Sequence, residues 1–86
     1  MKKVTPLALR AMKGKERFAA LTAYDAQMAH FLEEAGIPFI LVGDSVGTTQ
    51  LGYDSTIPVT LEDMIRHTAA VVRGTKRALV VADMPF

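Results

Sequence analysis

The chain has 86 residues, of which 50% are hydrophobic and 22% are charged, with a formal net charge of +1 and no cysteine. This length allows one small domain at most, and the hydrophobic fraction predicts a packed core. The basic residues are scattered, which argues against a nucleic-acid-binding surface, and no apolar run reaches the roughly 20 residues that span a bilayer. From these two features we expect binding to neither nucleic acid nor membrane. The lack of cysteine excludes disulfides and thiolate metal sites and is compatible with a reducing cytoplasm, where we expect the protein.

The first predicted element is a short helix near the amino terminus. Thr5 is a suitable N-cap and Pro6 a suitable first helical residue, while Gly14 is typical of the position after a helix end. Leu9 and Met12 would then face inward.

The first strand is predicted over Phe18–Thr22, and a helix follows it. The capping preference of aspartate favours Asp25 as the N-cap of that helix over Asp25 as a ligand, and Gly36 would end the helix. Spacing alone leaves open whether the Tyr24 side chain packs in the core or points its hydroxyl into a site at the strand end. An apolar stripe with helical spacing is expected to face inward: Met28, Phe31, Leu32 and Ala35.

The second strand is predicted over Phe39–Val42, an apolar run bounded by a proline and a glycine. Such a run is typical of a strand buried on both faces. Asp44 and Ser45 follow it, and Ser45 has no suitably placed histidine to activate it, which favours hydrogen bonding over nucleophilic catalysis. Residues 45–59 form a long irregular stretch, which is typical of a functional loop or a surface excursion.

A second crossover helix is predicted to open at Thr60, with Asp63 completing a capping box, and to end at Gly74. His67 lies beside the inward stripe of this helix. A packing or solvent-facing role is favoured for it over metal binding, because no second histidine or carboxylate shares its face at i+3 or i+4. The expected inward stripe is Leu61, Ile65, Thr68 and Val72.

The third strand is predicted over Ala78–Ala82, and Asp83 lies just past its end, as Asp44 lies just past the end of the second strand. The alternation of strands and helices predicts an α/β fold with a parallel sheet. Asp44 and Asp83 would then share the carboxyl edge of the sheet, where such folds bind ligands. Two nearby carboxylates repel each other, and a hard cation such as Mg²⁺ would neutralise them and could chelate a 2-oxo acid. The pattern leaves open the alternative that both aspartates cap helices or pair with lysines.

Five short motifs, spread in order over the chain, resemble those of the ketopantoate hydroxymethyltransferase family. They are Leu21-Thr22-Ala23-Tyr24-Asp25, Val42-Gly43-Asp44-Ser45, Gly52-Tyr53-Asp54-Ser55-Thr56, Pro58-Val59-Thr60 and Ala82-Asp83-Met84-Pro85-Phe86. The resemblance extends over essentially the whole chain, but over only about the first third of the family's usual length.

The resemblance implies a fold and a reaction. The fold is a (β/α)8 TIM barrel of the phosphoenolpyruvate mutase and isocitrate lyase type, of which residues 1–86 would be the amino-terminal segment of one domain. The reaction, in pantothenate biosynthesis, transfers a one-carbon unit from 5,10-methylenetetrahydrofolate to 3-methyl-2-oxobutanoate through a magnesium-stabilised enolate and yields 2-dehydropantoate. The family also implies a homo-oligomer, a decamer built from pentameric rings.

The resemblance also implies site residues. Asp44 and Asp83 would be magnesium ligands and, with Ser45, would line the 2-oxo acid site. Ser45 would hydrogen-bond the substrate carboxylate, and Tyr24 would lie near the cavity. The family's general base, further metal-site glutamate and substrate-binding lysine belong to later strands, so we expect no catalytic residue in this segment and no turnover by the segment alone.

Two other functions stay open from the sequence. One is a different magnesium-dependent enzyme of the same barrel superfamily that cleaves a carbon–carbon bond of a 2-oxo acid without folate. The other is a non-catalytic α/β fragment that self-associates through an exposed sheet edge.

Overall fold

The computed structural model describes residues 3–86. Their elements, in chain order, are helix α1 (Pro6–Ala11), strand β1 (Ala20–Thr22), helix α2 (Ala26–Glu34), strand β2 (Phe39–Val42), helix α3 (Val46–Thr49), helix α4 (Leu61–Arg73) and strand β3 (Leu79–Ala82). Within this part of the chain, no helix has the length and apolar character required to cross a membrane.

The three strands form one parallel sheet in the order β1-β2-β3. Ala20 pairs with Phe39, which in turn pairs with Leu79, so β2 is the central strand. Parallel neighbours need long crossover connections. The connection from β1 to β2 contains α2, and the connection from β2 to β3 contains α3 and α4. The predicted α/β fold with three parallel strands is confirmed, and all three carboxyl ends lie at one edge of the sheet.

Three helices begin with the caps that the sequence predicts. Thr5 Oγ1 and Asp25 Oδ1 each accept a backbone N–H from the first turn that follows, at 3.1 and 2.7 Å. At the start of α4, Asp63 N–H donates to Thr60 Oγ1 at 3.1 Å and Thr60 N–H donates to Asp63 Oδ2 at 3.0 Å. This capping box satisfies two otherwise unpaired donors, and the Thr60 N–H holds the pKa of Asp63 below its usual value.

The first helix and strand are shorter than predicted. Helix α1 ends at Ala11, and Gly14 adopts a φ of +75° in the turn beyond it. Strand β1 begins at Ala20, so Phe18 lies outside the sheet, with its ring centroid 6.5 Å from that of Phe39.

The core lies where the central strand meets the helices. Ile40 and Val42 of β2 are fully buried and pack with Met64 and Val71 of α4 in one apolar cluster. Phe39 and Leu41, which alternate with them on the other face, are only half-buried. The prediction of a strand buried on both faces is therefore wrong for this part of the chain, because the core cluster covers one face of β2.

The predicted inward stripe of α2 is largely wrong. Met28 and Phe31 are 46% and 55% exposed, whereas Ala29 and Glu33 are buried. Of the predicted set, Leu32 is half-buried against the core and Ala35 is exposed. The physical reason is that α2 packs against α4, where a small residue permits a close approach that a large one would prevent.

Helix α4 shows the same shift. Leu61, Ile65 and Val72 are exposed and Thr68 is half-buried, whereas Met64 and Val71 face the sheet. Both apolar sets have helical spacing, so periodicity alone could not tell which one meets the core.

The stretch predicted to be irregular contains helix α3 and is partly packed. Val46 and Val59 are buried, and a Cβ added to Gly47 would collide with Val59 Cγ2. The glycine therefore permits the two ends of this excursion to pack together.

Candidate ligand site at the carboxyl edge of the sheet

The loops that follow the three strands bring together the four predicted site residues. Tyr24 follows β1, Asp44 and Ser45 follow β2, and Asp83 follows β3. Because parallel strands end at the same edge, residues far apart in sequence become neighbours there. All four side chains are half-buried, so they are positioned by packing and remain accessible to a small molecule.

The two aspartates are joined by a hydrogen bond between the backbone of one and the carboxylate of the other. The N–H of Asp44 donates to Asp83 Oδ2 at 3.0 Å, and the N–H of Asp83 donates to the Val42 carbonyl at 2.9 Å. The second bond extends the β2–β3 ladder by one residue and aligns the two strand ends. Asp83 thus has one carboxylate oxygen fixed beside the main chain of Asp44.

Ser45 and Tyr24 form a hydroxyl pair on the other side of the β2 end. Tyr24 Oη lies 2.6 Å from Ser45 Oγ. Ser45 occupies the N-cap position of α3, yet its side chain makes no capping hydrogen bond. Its hydroxyl is therefore turned toward Tyr24. Tyr24 packs against the core and also places its hydroxyl at the strand end, so both interpretations that the sequence left open hold in part.

Gly43 lies between the Asp83 carboxylate and the Ser45 hydroxyl and leaves no room for a side chain. A Cβ at this position would lie 3.2 Å from Ser45 Oγ and 3.4 Å from Asp83 Oδ2. A glycine in a strand end often marks a place where another group approaches the backbone closely. The glycine therefore permits the hydroxyl and the carboxylate to approach the end of β2.

The donor chemistry of this edge suits a hard cation. Carboxylate and hydroxyl oxygens are the ligands that Mg²⁺ prefers, and Mg²⁺ normally keeps water or substrate oxygens in its shell. Within residues 3–86, no group of three or more histidine, cysteine, aspartate or glutamate side chains could hold a metal ion. Asp44 and Asp83 could therefore supply only part of such a shell, and the remaining oxygens would have to come from water, substrate or other residues.

His67 reaches the loop that carries Tyr24 from α4. Its ring is half-buried, and Nδ1 lies 2.8 Å from the Tyr24 carbonyl oxygen. The hydrogen bond connects the middle of α4 to the loop that carries Tyr24.

Glu33 is the buried charge that sequence reasoning missed. It is 6% exposed, and its carboxylate accepts the backbone N–H groups of Lys76, Arg77 and Ala78 at 2.6 to 2.9 Å. Burial by itself would raise the pKa of Glu33, but these donors and the Arg77 charge together hold it below its usual value.

Glu33 belongs to the opposite edge of the sheet. The three N–H donors lie just before β3, at its amino end, and Arg77 also donates from its guanidinium to the Glu33 carbonyl at 2.9 Å. The carboxylate thus fastens the end of α2 to the start of β3. Its role is structural, and it lies away from the four candidate site residues.

The comparisons with known proteins point to one family. A sequence model described as ketopantoate hydroxymethyltransferase matches residues 3–86. Three similar curated relatives bear the name 3-methyl-2-oxobutanoate hydroxymethyltransferase. That of Natronomonas pharaonis is 62% identical over 78 residues, covering 91% of this chain and 29% of the relative. That of Carboxydothermus hydrogenoformans is 56% identical over 87 residues, covering 100% of this chain and 32% of the relative. That of Gluconacetobacter diazotrophicus is 58% identical over 85 residues, covering 98% of this chain and 31% of the relative. The chain spans less than a third of the length of these relatives.

Proposed function

The chain belongs to the ketopantoate hydroxymethyltransferase family, as its motifs predict, and on that premise we propose that it supplies one edge of the active site of a 3-methyl-2-oxobutanoate hydroxymethyltransferase. In this proposal the three parallel strands are the start of a (β/α)8 barrel, and later strands complete it. The curated relatives, whose chains are more than three times as long, have room for those strands.

The observation that carries the proposal is the meeting of Asp44 and Asp83 at neighbouring strand ends. The hydrogen bond from the Asp44 backbone N–H to Asp83 Oδ2 places the Asp83 carboxylate beside the main chain of Asp44, at the edge where barrel enzymes hold their substrates. Ser45 and Tyr24 add a hydroxyl pair next to them. A 2-oxo acid needs these two kinds of partner, a cation for its chelating oxygens and a hydrogen-bond donor for its carboxylate.

In the mechanism that we propose, this segment binds and orients the substrate. Asp44 and Asp83 would hold magnesium, which when bound withdraws electron density from the 2-oxo group and stabilises the enolate formed by loss of the C3 proton. Ser45 Oγ donates a hydrogen bond to the substrate carboxylate and fixes the direction of C3. The C3 proton passes to a base outside this segment, and C3 bonds to the methylene carbon of 5,10-methylenetetrahydrofolate. Water supplies the oxygen of the new hydroxymethyl group, both carbon–nitrogen bonds to the methylene carbon break, and tetrahydrofolate leaves with the two protons.

The proposal can be tested in a full-length chimera. The matching amino-terminal part of the Carboxydothermus hydrogenoformans relative, which covers 100% of this chain, would be replaced by residues 1–86. We expect this protein to convert 3-methyl-2-oxobutanoate in the presence of 5,10-methylenetetrahydrofolate and Mg²⁺. Without folate, it should still exchange the C3 proton in D2O, which proton NMR measures as loss of the C3 signal.

Matched aspartate variants of the chimera locate the site. Asp44→Asn and Asp83→Asn should each lower the magnesium-dependent turnover about 100-fold or more, because each removes a charged ligand. Asp25→Asn makes the same charge change, and asparagine caps a helix as well as aspartate does, so it should retain turnover. If all three variants lost the same fraction of turnover, the assignment of the site to Asp44 and Asp83 would be wrong.

A further inference from the structure

His67 contacts the candidate site through the main chain of Tyr24. It lies in the middle of α4, between Met64 and Val71, which are both buried against the sheet. These anchors fix the helix, and therefore the point from which the imidazole reaches the carbonyl oxygen of Tyr24 at 2.8 Å.

The chemistry of this contact assigns a proton to Nδ1. A carbonyl oxygen can only accept, so the imidazole must donate from Nδ1–H. Tyr24 is also held by its neighbours in the chain, since Ala23 is buried and Asp25 caps α2. The His67 bond ties this loop to α4.

The hydroxyl of Tyr24 passes this restraint on to Ser45. The two oxygens are 2.6 Å apart, and either could donate in the absence of a ligand. A serine hydroxyl has one proton. If Ser45 donates that proton in a hydrogen bond to a bound carboxylate, Tyr24 must be the donor in the Tyr24–Ser45 hydrogen bond. The Tyr24 hydroxyl then holds the Ser45 hydroxyl with its proton facing the substrate.

We propose that His67 is a positioning residue of the 2-oxo acid site, acting through the Tyr24 carbonyl and hydroxyl on Ser45. The kinetic part of this inference rests on the proposed function. The tie between α4 and the Tyr24 loop does not, and it can be measured separately.

Two variants of the chimera separate the Nδ1 contact from the rest of the ring. In His67→Asn the side-chain amide nitrogen takes the place of Nδ1, whereas in His67→Gln it takes the place of Nε2. We expect His67→Gln to raise the KM for 3-methyl-2-oxobutanoate about three- to tenfold, the effect of one lost hydrogen bond, and to leave kcat within about twofold because the contact serves binding. His67→Asn should restore most of the affinity. His30→Gln, on the exposed side of α2, is the control and should leave both constants unchanged.

A double-mutant cycle tests the path through Tyr24. Tyr24→Phe removes the hydroxyl, so His67→Gln should add little to the KM in that background. If His67→Gln raises the KM by the same factor in both backgrounds, or if the asparagine and glutamine variants behave alike, the positioning role is wrong.

Hydrogen exchange reports the tie whether or not the chimera turns over. Mass spectrometry would follow the backbone amides of residues 22–28. We expect faster exchange in His67→Gln than in His67→Asn or the unchanged chimera. Equal exchange in all three would overturn the tie itself, while an inactive unchanged chimera with the expected exchange pattern would count against the proposed function alone.

Discussion

At the scale of single residues, Glu33 is the side chain whose loss should cost the most stability. Its carboxylate satisfies three consecutive backbone donors, and glutamine would turn an N–H₂ group toward some of them. We expect Glu33→Gln to lower the free energy of unfolding by about 3 kcal/mol, the cost of leaving buried donors unpaired. Urea unfolding followed by circular dichroism measures this. The exposed neighbour variant Glu34→Gln should change it by less than about 0.5 kcal/mol.

The same residue makes stability depend on pH in a defined direction. Because the folded protein holds the pKa of Glu33 below its usual value of 4.5, the unfolded chain binds its proton first as pH falls. The stabilisation is therefore complete above that value and is lost as pH falls from it through the folded-state pKa. The stability difference between the native sequence and Glu33→Gln should be constant near neutral pH and shrink below about pH 4.5. A difference that stayed constant down to pH 3 would contradict the ionised role of Glu33.

Gly43→Ala should disturb the candidate site more than the fold. The φ of Gly43 is not positive, so alanine brings no backbone strain, and the added Cβ meets the side-chain atoms of Ser45 and Asp83 at 3.2 and 3.4 Å. We expect Gly43→Ala to change the stability of the chimera by less than about 1 kcal/mol and to weaken binding of 3-methyl-2-oxobutanoate about tenfold or more, because the methyl group displaces the Ser45 hydroxyl and the Asp83 carboxylate. Calorimetric titration measures the affinity, and unchanged affinity would show that the positions of these two groups do not govern binding.

At the scale of secondary-structure elements, the close approach of α2 and α4 should tolerate no added methyl group. A Cβ on Gly74 would lie 2.8 and 2.9 Å from the Cα and C atoms of Ala26, which are backbone atoms that cannot rotate away. We expect Gly74→Ala to lower the free energy of unfolding by about 1–3 kcal/mol through overpacking. Gly74→Ala should thus affect stability, whereas Gly43→Ala should affect ligand binding. Urea unfolding measures the stability, and a Gly74→Ala protein as stable as the native one would show that the two helices can move apart.

The elements also show which structure the sequence could predict and which it could not. Caps at Thr5, Asp25 and Thr60 were predictable, because capping depends on residues within one turn of each other. The buried faces of α2 and α4 were not. Helix α4 has two apolar sets with the same spacing, and α2 buries a small residue and a charged one while its large apolar residues are exposed, because the choice depends on helix-to-helix distance. Glu33 was beyond prediction for a related reason, since its partners are backbone groups more than 40 positions away that become neighbours only after the sheet forms.

At the scale of the whole molecule, the order of elements was enough to bring the four candidate site residues together. Parallel strands must end at one edge, so the proximity of Asp44 and Asp83 followed from two short apolar runs. What the order could not show is the unpaired surface that remains. The exposed apolar residues Leu61, Ile65 and Met84 line a groove of about 360 Å³ beside β3. In the barrel that we propose, the strand and helix after β3 would cover this groove and pair with its edge.

The contact of Glu33 with the start of β3 has a consequence at the other end of that strand. Side chains alternate between the faces of a sheet, so the point at which a strand is anchored decides which face each later residue occupies. The carboxylate anchors residues 76–78, just before β3, and Asp83 directly follows that strand. An insertion of one residue between them would leave every contact of Glu33 intact and yet turn Asp83 to the opposite face. An insertion of two would restore the face and carry the aspartate about 7 Å beyond its partner Asp44. The proposed site therefore constrains the length of β3 as strictly as it constrains the identity of the aspartate that follows this strand.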